Sequence, residues 1–242
     1  MKTAFVTGAN KSIGFEVVKQ LLDLGYYVYL GSRDLQKGRK AAAQLHSDHV
    51  GVLQIDVSDS ASVKAAGEEL AAKINSLDVL VNNAGISGGF PQAPSNLNID
   101  TIKRVFETNF FGSILVIQAV MELLKKSDAP RIVNVTSGLA SLTLHSDPCW
   151  KYYKIKGGAY GPSKTALNAY TIALAFELKD TAFKINAVDP GFTATDFNQH
   201  RGTGNMHDAA ARIVKYAVID DKGPTGQYFS DDNNPQTGLS PW

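Results

Sequence analysis

Apolar residues in this chain fall into short unbroken runs: TAFVT, YYVYLG, GVLQID, LDVLVN, RIVNVTS, FKINAVD and QYFS. Between them stand longer segments whose apolar positions recur at helical spacing. A strand that is apolar at successive positions turns an apolar side chain to each face of its sheet, so both faces must be covered. Such strands alternating with helix-length segments predict an α/β fold of Rossmann type, a doubly wound parallel sheet of about seven strands with helices on both faces. No fixed-period repeat, low-complexity tract or linker interrupts residues 1–242, so one domain is expected. In a sheet of this kind a ligand sits beyond the carboxyl ends of the strands.

The turn after the first run reads TGANKSIG, residues 7–14. It leaves a strand and opens a helix near Ser12, so its backbone N–H groups and the positive helix end face the place where a phosphate would bind. A fingerprint of the type G-x-x-x-G-x-G needs small residues where backbone approaches a pyrophosphate. Gly8 and Gly14 are present, but Ser12 replaces the middle glycine. Serine is small and its hydroxyl can donate to a phosphate oxygen, so little weakening is expected if the backbone at 12 suits a residue with a Cβ. Taken alone, the stretch also reads as a Gly-rich β–α turn without a ligand. Farther along come LVNNAG (80–85), TNFFG (108–112), VTSG (135–138) and AYGPSK, which holds Tyr160 and Lys164. Four residues apart on a helix, these two share a face. An ammonium beside a phenol favours phenolate, so the tyrosine pKa is expected to fall from its ordinary ~10 toward working pH, as a general acid/base requires.

Composition narrows the function classes. With 24 basic against 23 acidic residues there is no charge excess to draw nucleic acid or an anionic membrane. One cysteine, Cys149, excludes an internal disulfide and fits a reducing compartment. The opening MKTAFVTG is too short an apolar run for a signal peptide, and the longest apolar stretch, Ile114 to Leu124, falls short of a ~20-residue membrane span. A cytoplasmic protein is the expectation. His46, His49, His145, His200 and His207 are scattered without a third ligand, so no metal site is expected. Ser137, His145 and Asp147 hint at a hydrolase, but VTSGL lacks the glycine two residues before the serine that a nucleophile elbow needs.

The ordered set of glycine loop, NNAG, Asn109, Ser137, YxxxK and PG resembles the short-chain dehydrogenase/reductase family over nearly the whole chain. Within it the chain is most similar in pattern to the carbonyl reductases, with a lengthened segment before the tyrosine and the ending PTGQYFSDDNNPQTGLSPW. Ser137 and Tyr160 stand 23 positions apart. The resemblance implies that segments near 138–159 and 192–208 border the substrate. It implies that Tyr160 protonates a carbonyl oxygen as hydride arrives, Ser137 hydrogen-bonds that oxygen, and Lys164 lowers the tyrosine pKa and holds the nicotinamide ribose. It implies that Asn109 holds a water that relays protons to Lys164. Cofactor contacts are implied for Gly8, Asn10, Lys11, Ser12, Ile13, Gly14, Asn83 and Gly85. The same holds for Asp56 and Val57 at the adenine, and for Gly191, Thr193 and Thr195 at the nicotinamide amide.

In a dinucleotide site an acidic residue ending the second strand binds the ribose 2′-hydroxyl of NAD and repels a 2′-phosphate. Here Ser32 and Arg33 stand there. Arg33 can fork onto the phosphate and Lys11 can add a second cation, so NADPH/NADP is the expected cofactor. The function these readings give is reduction of a small-molecule ketone or aldehyde. The alternatives are alcohol oxidation by the same residues and a redox-sensing NADP-binding protein without turnover. Two long helices, around FFGSILVIQAVMELL and ALNAYTIALAFEL, are apolar nearly all round and need a cover on their outer faces. Family members usually pair such helices across a two-fold axis, whereas some carbonyl reductases cover that face with the lengthened segment and stay monomeric; the extra residues here are too few to cover two long helices, so a homodimer or homotetramer is expected, with Trp242 either reaching a neighbour or lying in solvent.

Overall fold

The computed structural model describes all residues from Met1 to Trp242. Each apolar run forms a strand: β1 (Thr3–Val6), β2 (Tyr27–Ser32), β3 (Val50–Gln54), β4 (Val79–Asn82), β5 (Arg131–Val135), β6 (Lys184–Val188) and β7 (Tyr228–Phe229). All pair in parallel, in the order β3-β2-β1-β4-β5-β6-β7. The order reverses between β1 and β4, which opens a crevice at their carboxyl ends.

Helices α1 (Ser12–Asp23), α2 (Leu35–Gln44), α3 (Ser60–Lys73), α4 (Ile99–Phe106), α5 (Gly112–Leu124), the short α6 (Leu142–His145), α7 (Tyr160–Glu177) and α8 (Met206–Ala217) connect the strands. Alternate strand residues enter two separate cores. Val6, Val28, Val81 and Val133 meet Val17, Leu21 and Ile213 on the α1 and α8 side. Phe5, Tyr29, Leu80 and Ile132 meet Leu70, Ile117 and Leu174 on the α3, α5 and α7 side. Successive residues of one strand thus serve opposite layers, which is why no strand alternates apolar with polar.

A π-helical turn, Glu107–Phe111, joins α4 to α5 and places Asn109 in the interior. The continuous helix Ile99–Leu124 has 26 residues, more than the apolar stretch alone implies, and is long and apolar enough by composition to cross a membrane. Its inner face packs on the sheet as a core helix.

The C-terminal segment corrects one expectation. Trp242 neither reaches outward nor lies free: its ring stacks on Tyr228 with centroids 5.6 Å apart, and its carbonyl accepts from Thr143 N at 3.0 Å and Ser141 Oγ at 3.3 Å. The tail folds back under the chain's own 138–159 segment.

Candidate active site

The glycine turn comes first. Gly8 has φ +62°, and a Cβ there would lie 2.8 Å from the Cα of Ala84, so the turn closes against the end of β4 only with glycine. Gly14, in the first turn of α1, packs against Asn83. No side chain caps α1, whose N-cap is Lys11, so its first amides are left for a ligand. Ser12 has φ +54°, inside the left-handed region. The condition for a harmless serine therefore fails: this position favours glycine, and the serine is strained. Ile13 packs on the core behind the turn, and Asn10 lies half-buried within it.

The residues expected at the adenosine end stand at the carboxyl ends of β2 and β3. Ser32 is buried and its hydroxyl donates to Asp34 O at 2.8 Å, while Arg33 is exposed. The nearest carboxylate, Asp34, is turned away to cap α2, accepting from Lys37 N at 3.0 Å. Asp56 accepts from Ser58 through Oδ1, and buried Val57 follows it. Lys11 is paired with Asp196 at 2.8 Å across the crevice, both side chains more than half exposed. It is therefore not the free second cation that the sequence suggests, although an exposed pair of this kind exchanges readily for another anion. Asn83 spends its amide on Thr7 O at 3.0 Å and Gly8 O at 3.1 Å, which braces the turn.

The chemistry-bearing residues converge at the ends of β5 and α7. Ser137 Oγ accepts from Leu139 N at 3.2 Å and lies close enough to the Tyr160 phenol to ease its ionisation. Lys164, one turn along α7 and 4% exposed, donates to Val135 O at 2.7 Å. Burial lowers its pKa to about 8. The phenol moves opposite to the expected direction. Burial raises the Tyr160 pKa well above 10, opposed by the Ser137 bond and reinforced by the charge of Asp189. Desolvation dominates the shift, and the Lys164 ammonium is engaged with the β5 backbone.

Asn109 Oδ1 accepts from Ile86 N at 2.8 Å, and Nδ2 donates to Ile86 O at 3.0 Å and Ser163 Oγ at 3.1 Å. The π-turn that places it is a feature common at functional sites. A Cβ on Gly85 would lie 3.3 Å from Asn109 Oδ1 and 3.6 Å from Lys164 Nζ, so Gly85 keeps that corner open. Gly191 has φ +85°, and buried Thr193 and Thr195 follow it. The segment they begin lays Phe197 edge-on against Tyr160, centroids 5.2 Å apart.

Gln92 had no signal in the sequence. Buried in a loop rich in Gly, Pro and Ser, it accepts from Tyr160 N at 3.0 Å and Ala159 N at 3.3 Å, and so caps α7 at the tyrosine. A cavity of about 500 Å³ begins at Tyr160 and runs along the outer side of α7 beneath 138–159, lined by Phe90, Leu139, Leu142, Ile155 and Ala166 among others.

The residues present fit a nicotinamide dinucleotide: uncapped helix amides at a tight glycine turn, an exposed arginine with no competing carboxylate, and a buried lysine ammonium with a single acceptor. Comparison with known proteins agrees in class. The model described as short chain dehydrogenase matches residues 2–205. The chain belongs to the short-chain dehydrogenase/reductase family, and it is an oxidoreductase by that membership.

Among its relatives, (-)-isopiperitenone reductase of Mentha piperita is 32% identical, with 95% of this chain and 96% of that protein covered. Salutaridine reductase of Papaver bracteatum is 30% identical, with 95% and 94% covered. The solved structure of salutaridine reductase from Papaver somniferum matches with a TM-score of 0.82 at 29% identity, covering 96% of this chain and all of that one. The NADPH-bound carbonyl reductase from chicken fatty liver shares the fold with a TM-score of 0.84 at 24% identity, covering 100% and 99%.

Proposed function

We propose that this protein is an NADPH-dependent carbonyl reductase that converts an apolar ketone or aldehyde to the alcohol. The observation that carries the reading is the convergence of the Ser137 hydroxyl on the buried Tyr160 phenol, with Lys164 one helical turn away and donating to Val135 O. NADPH, when bound, supplies the hydride. Ser137 holds the substrate carbonyl oxygen, and Tyr160 gives its proton to that oxygen as charge develops there. A phenol held above its ordinary pKa is protonated at neutral pH, as the donor in the reductive direction must be; the net direction follows the ratio of reduced to oxidised cofactor. Lys164 holds the nicotinamide ribose, and Asn109 fixes the loop at Ile86 and links to α7 through Ser163.

The uncapped amides of residues 12–14 take the pyrophosphate, with Gly8, Asn10 and Lys11 forming the rest of the turn. Ser32 and Arg33 take the 2′-phosphate, and Asp56, Val57, Asn83 and Gly85 border the adenosine and nicotinamide sides. Gly191, Thr193 and Thr195 hold the carboxamide. The apolar lining of the cavity at Tyr160 supports a substrate with an apolar body, admitted between segments 138–159 and 192–208.

The same reading includes self-association. Segment 138–159 covers only the first turns of the outer face of α7, leaving Ile172 42% and Phe176 68% exposed, with Phe111 of the adjoining helix 45% exposed. That face supports a homodimer or a two-fold tetramer.

The test is turnover of a panel of aromatic ketones, aldehydes, quinones and ketoesters with NADPH and with NADH. Strong NADPH preference is expected, and Arg33→Ala should cost NADPH about 10- to 100-fold in affinity while sparing NADH, as a charge-assisted bond implies. Equal efficiency with NADH, or an unchanged NADPH affinity in the variant, overturns the cofactor assignment.

A further inference from the structure

Ser137 can meet a substrate only if the turn that carries it is held, and groups outside the four catalytic positions grip that turn from behind. Tyr228, completely buried, donates its phenolic proton to Ser137 O at 2.7 Å. Asn233 donates to Gly138 O at 3.4 Å and to Ser240 Oγ at 3.2 Å, and is itself fixed by Trp150 Nε1 at 3.2 Å. The third group is Asp189, the residue after β6. Its carboxylate accepts from Ser230 Oγ at 2.6 Å and from Gly191 N at 2.9 Å, and it lies against the Gly138 backbone. A Cβ on Gly138 would stand 3.1 Å from Asp189 Oδ2, so carboxylate and turn are in direct contact.

Asp189 is 5% exposed and forms no salt bridge; the nearby Arg212 is taken by Pro190 O at 2.8 Å and Asp231 at 3.1 Å. A carboxylate buried among neutral donors is costly to a fold. What this one holds together is the Ser137 turn, the Gly191 turn of the nicotinamide side, and, through Ser230, the C-terminal segment.

We propose that Asp189 is a positioning residue whose carboxylate, with Tyr228 and Asn233, clamps the Ser137–Gly138 backbone so that the Ser137 hydroxyl meets the Tyr160 phenol. The proposal rests on the reading of Ser137 and Tyr160 as catalytic. It assigns to the folded-back tail the task of orienting Ser137. The carboxylate also bears on proton transfer, because its charge faces the Tyr160 phenol and disfavours phenolate. The other titratable or charged groups around it are Tyr228 of β7, Tyr152 of segment 138–159, Asp232 of the tail and Arg212 of α8, with Lys164 beside Tyr160 on α7.

The experiment compares wild type, Asp189→Asn and Tyr228→Phe in NADPH-linked carbonyl reduction over pH, with amide hydrogen exchange of peptide 135–141 read in parallel. Asp189→Asn loses the acceptor oxygen that faces Gly138 and Tyr228→Phe loses the bond to Ser137 O, so kcat should fall on the order of tenfold in each with the KM for NADPH within twofold of wild type. In Asp189→Asn alone the alkaline limb of the kcat profile should move to lower pH, because the phenol ionises more easily without the carboxylate. A merely structural role would not move it. Exchange at 137–140 should quicken in both variants. Unchanged kcat, an unmoved alkaline limb or unchanged exchange overturns the proposal. If Asp189→Asn does not fold, Ser230→Ala takes its place, with the same loss of kcat and faster exchange expected. A wild type that reduces no carbonyl, together with faster exchange in the variants, removes the proposed activity and leaves the clamp standing.

Discussion

Replacing Ser12 by glycine isolates the strain in the nucleotide turn. Ser12 has φ +54°, and its hydroxyl bonds no protein group. A side chain with a Cβ in the left-handed region costs about 1–2 kcal/mol. Glycine removes that cost, and its freer unfolded chain gives back roughly 0.4–1 kcal/mol. The net gain expected for Ser12→Gly is therefore about 0.5–1 kcal/mol. Unfolding entropy of roughly 2.1 cal/mol/K per residue amounts to about 0.5 kcal/mol/K over the chain, so Tm should rise by about 1–2 °C. Differential scanning calorimetry of the nucleotide-free proteins reads this directly. A Tm lower in the variant than in wild type refutes the strain argument. Fluorescence titration with NADPH then reports on the hydroxyl. A level or tighter Kd makes the serine a space-filler, whereas a loss of tenfold or more makes it a phosphate donor.

Lys164 should leave a signature in stability against pH. Its folded pKa of about 8 lies below its ordinary 10.5, so between those values the native protein releases a proton that the unfolded chain keeps. Stability from this group is lowest and flat below pH 8 and rises toward pH 10.5, by on the order of 3 kcal/mol in total. Urea denaturation of Lys164→Met against wild type should show that rise missing; parallel curves contradict the buried ammonium. For assembly, light scattering should give wild type a mass two or four times 26.0 kDa and Phe176→Asp a mass near 26.0 kDa. Wild type at 26.0 kDa would show that segment 138–159 suffices as cover.

The seven strands and their layers were legible because burial on both faces leaves unbroken apolar runs, and Val79–Asn82 or Arg131–Val135 could hardly be anything else. The clustering of Ser137, Tyr160 and Lys164 was legible through the ordered motifs that resemble the family, because the roles proposed for them belong to their side chains. What stayed hidden acts through backbone. The strain at Ser12 is a dihedral angle, and the tail is held partly by the backbone carbonyl of Trp242, which any residue at that position would supply. Gln92 works by accepting two amides at the start of α7, a task that a lone amide in SGGFPQAPS does not announce. Asp189 stands in a sequence that reads as an ordinary turn, DPG, and only the fold brings it to Gly138. The direction of the Tyr160 shift was misjudged because i,i+4 spacing reports a shared face but not how dry that face is.

The central claim is that Tyr160 delivers the proton to a carbonyl oxygen during reduction with NADPH, and Tyr160→Phe tests it most directly. The ring and its packing remain while the proton is gone, so NADPH should bind as in wild type and kcat should fall by about 10²–10⁴-fold. Turnover within a few-fold of wild type, with binding intact, would contradict it.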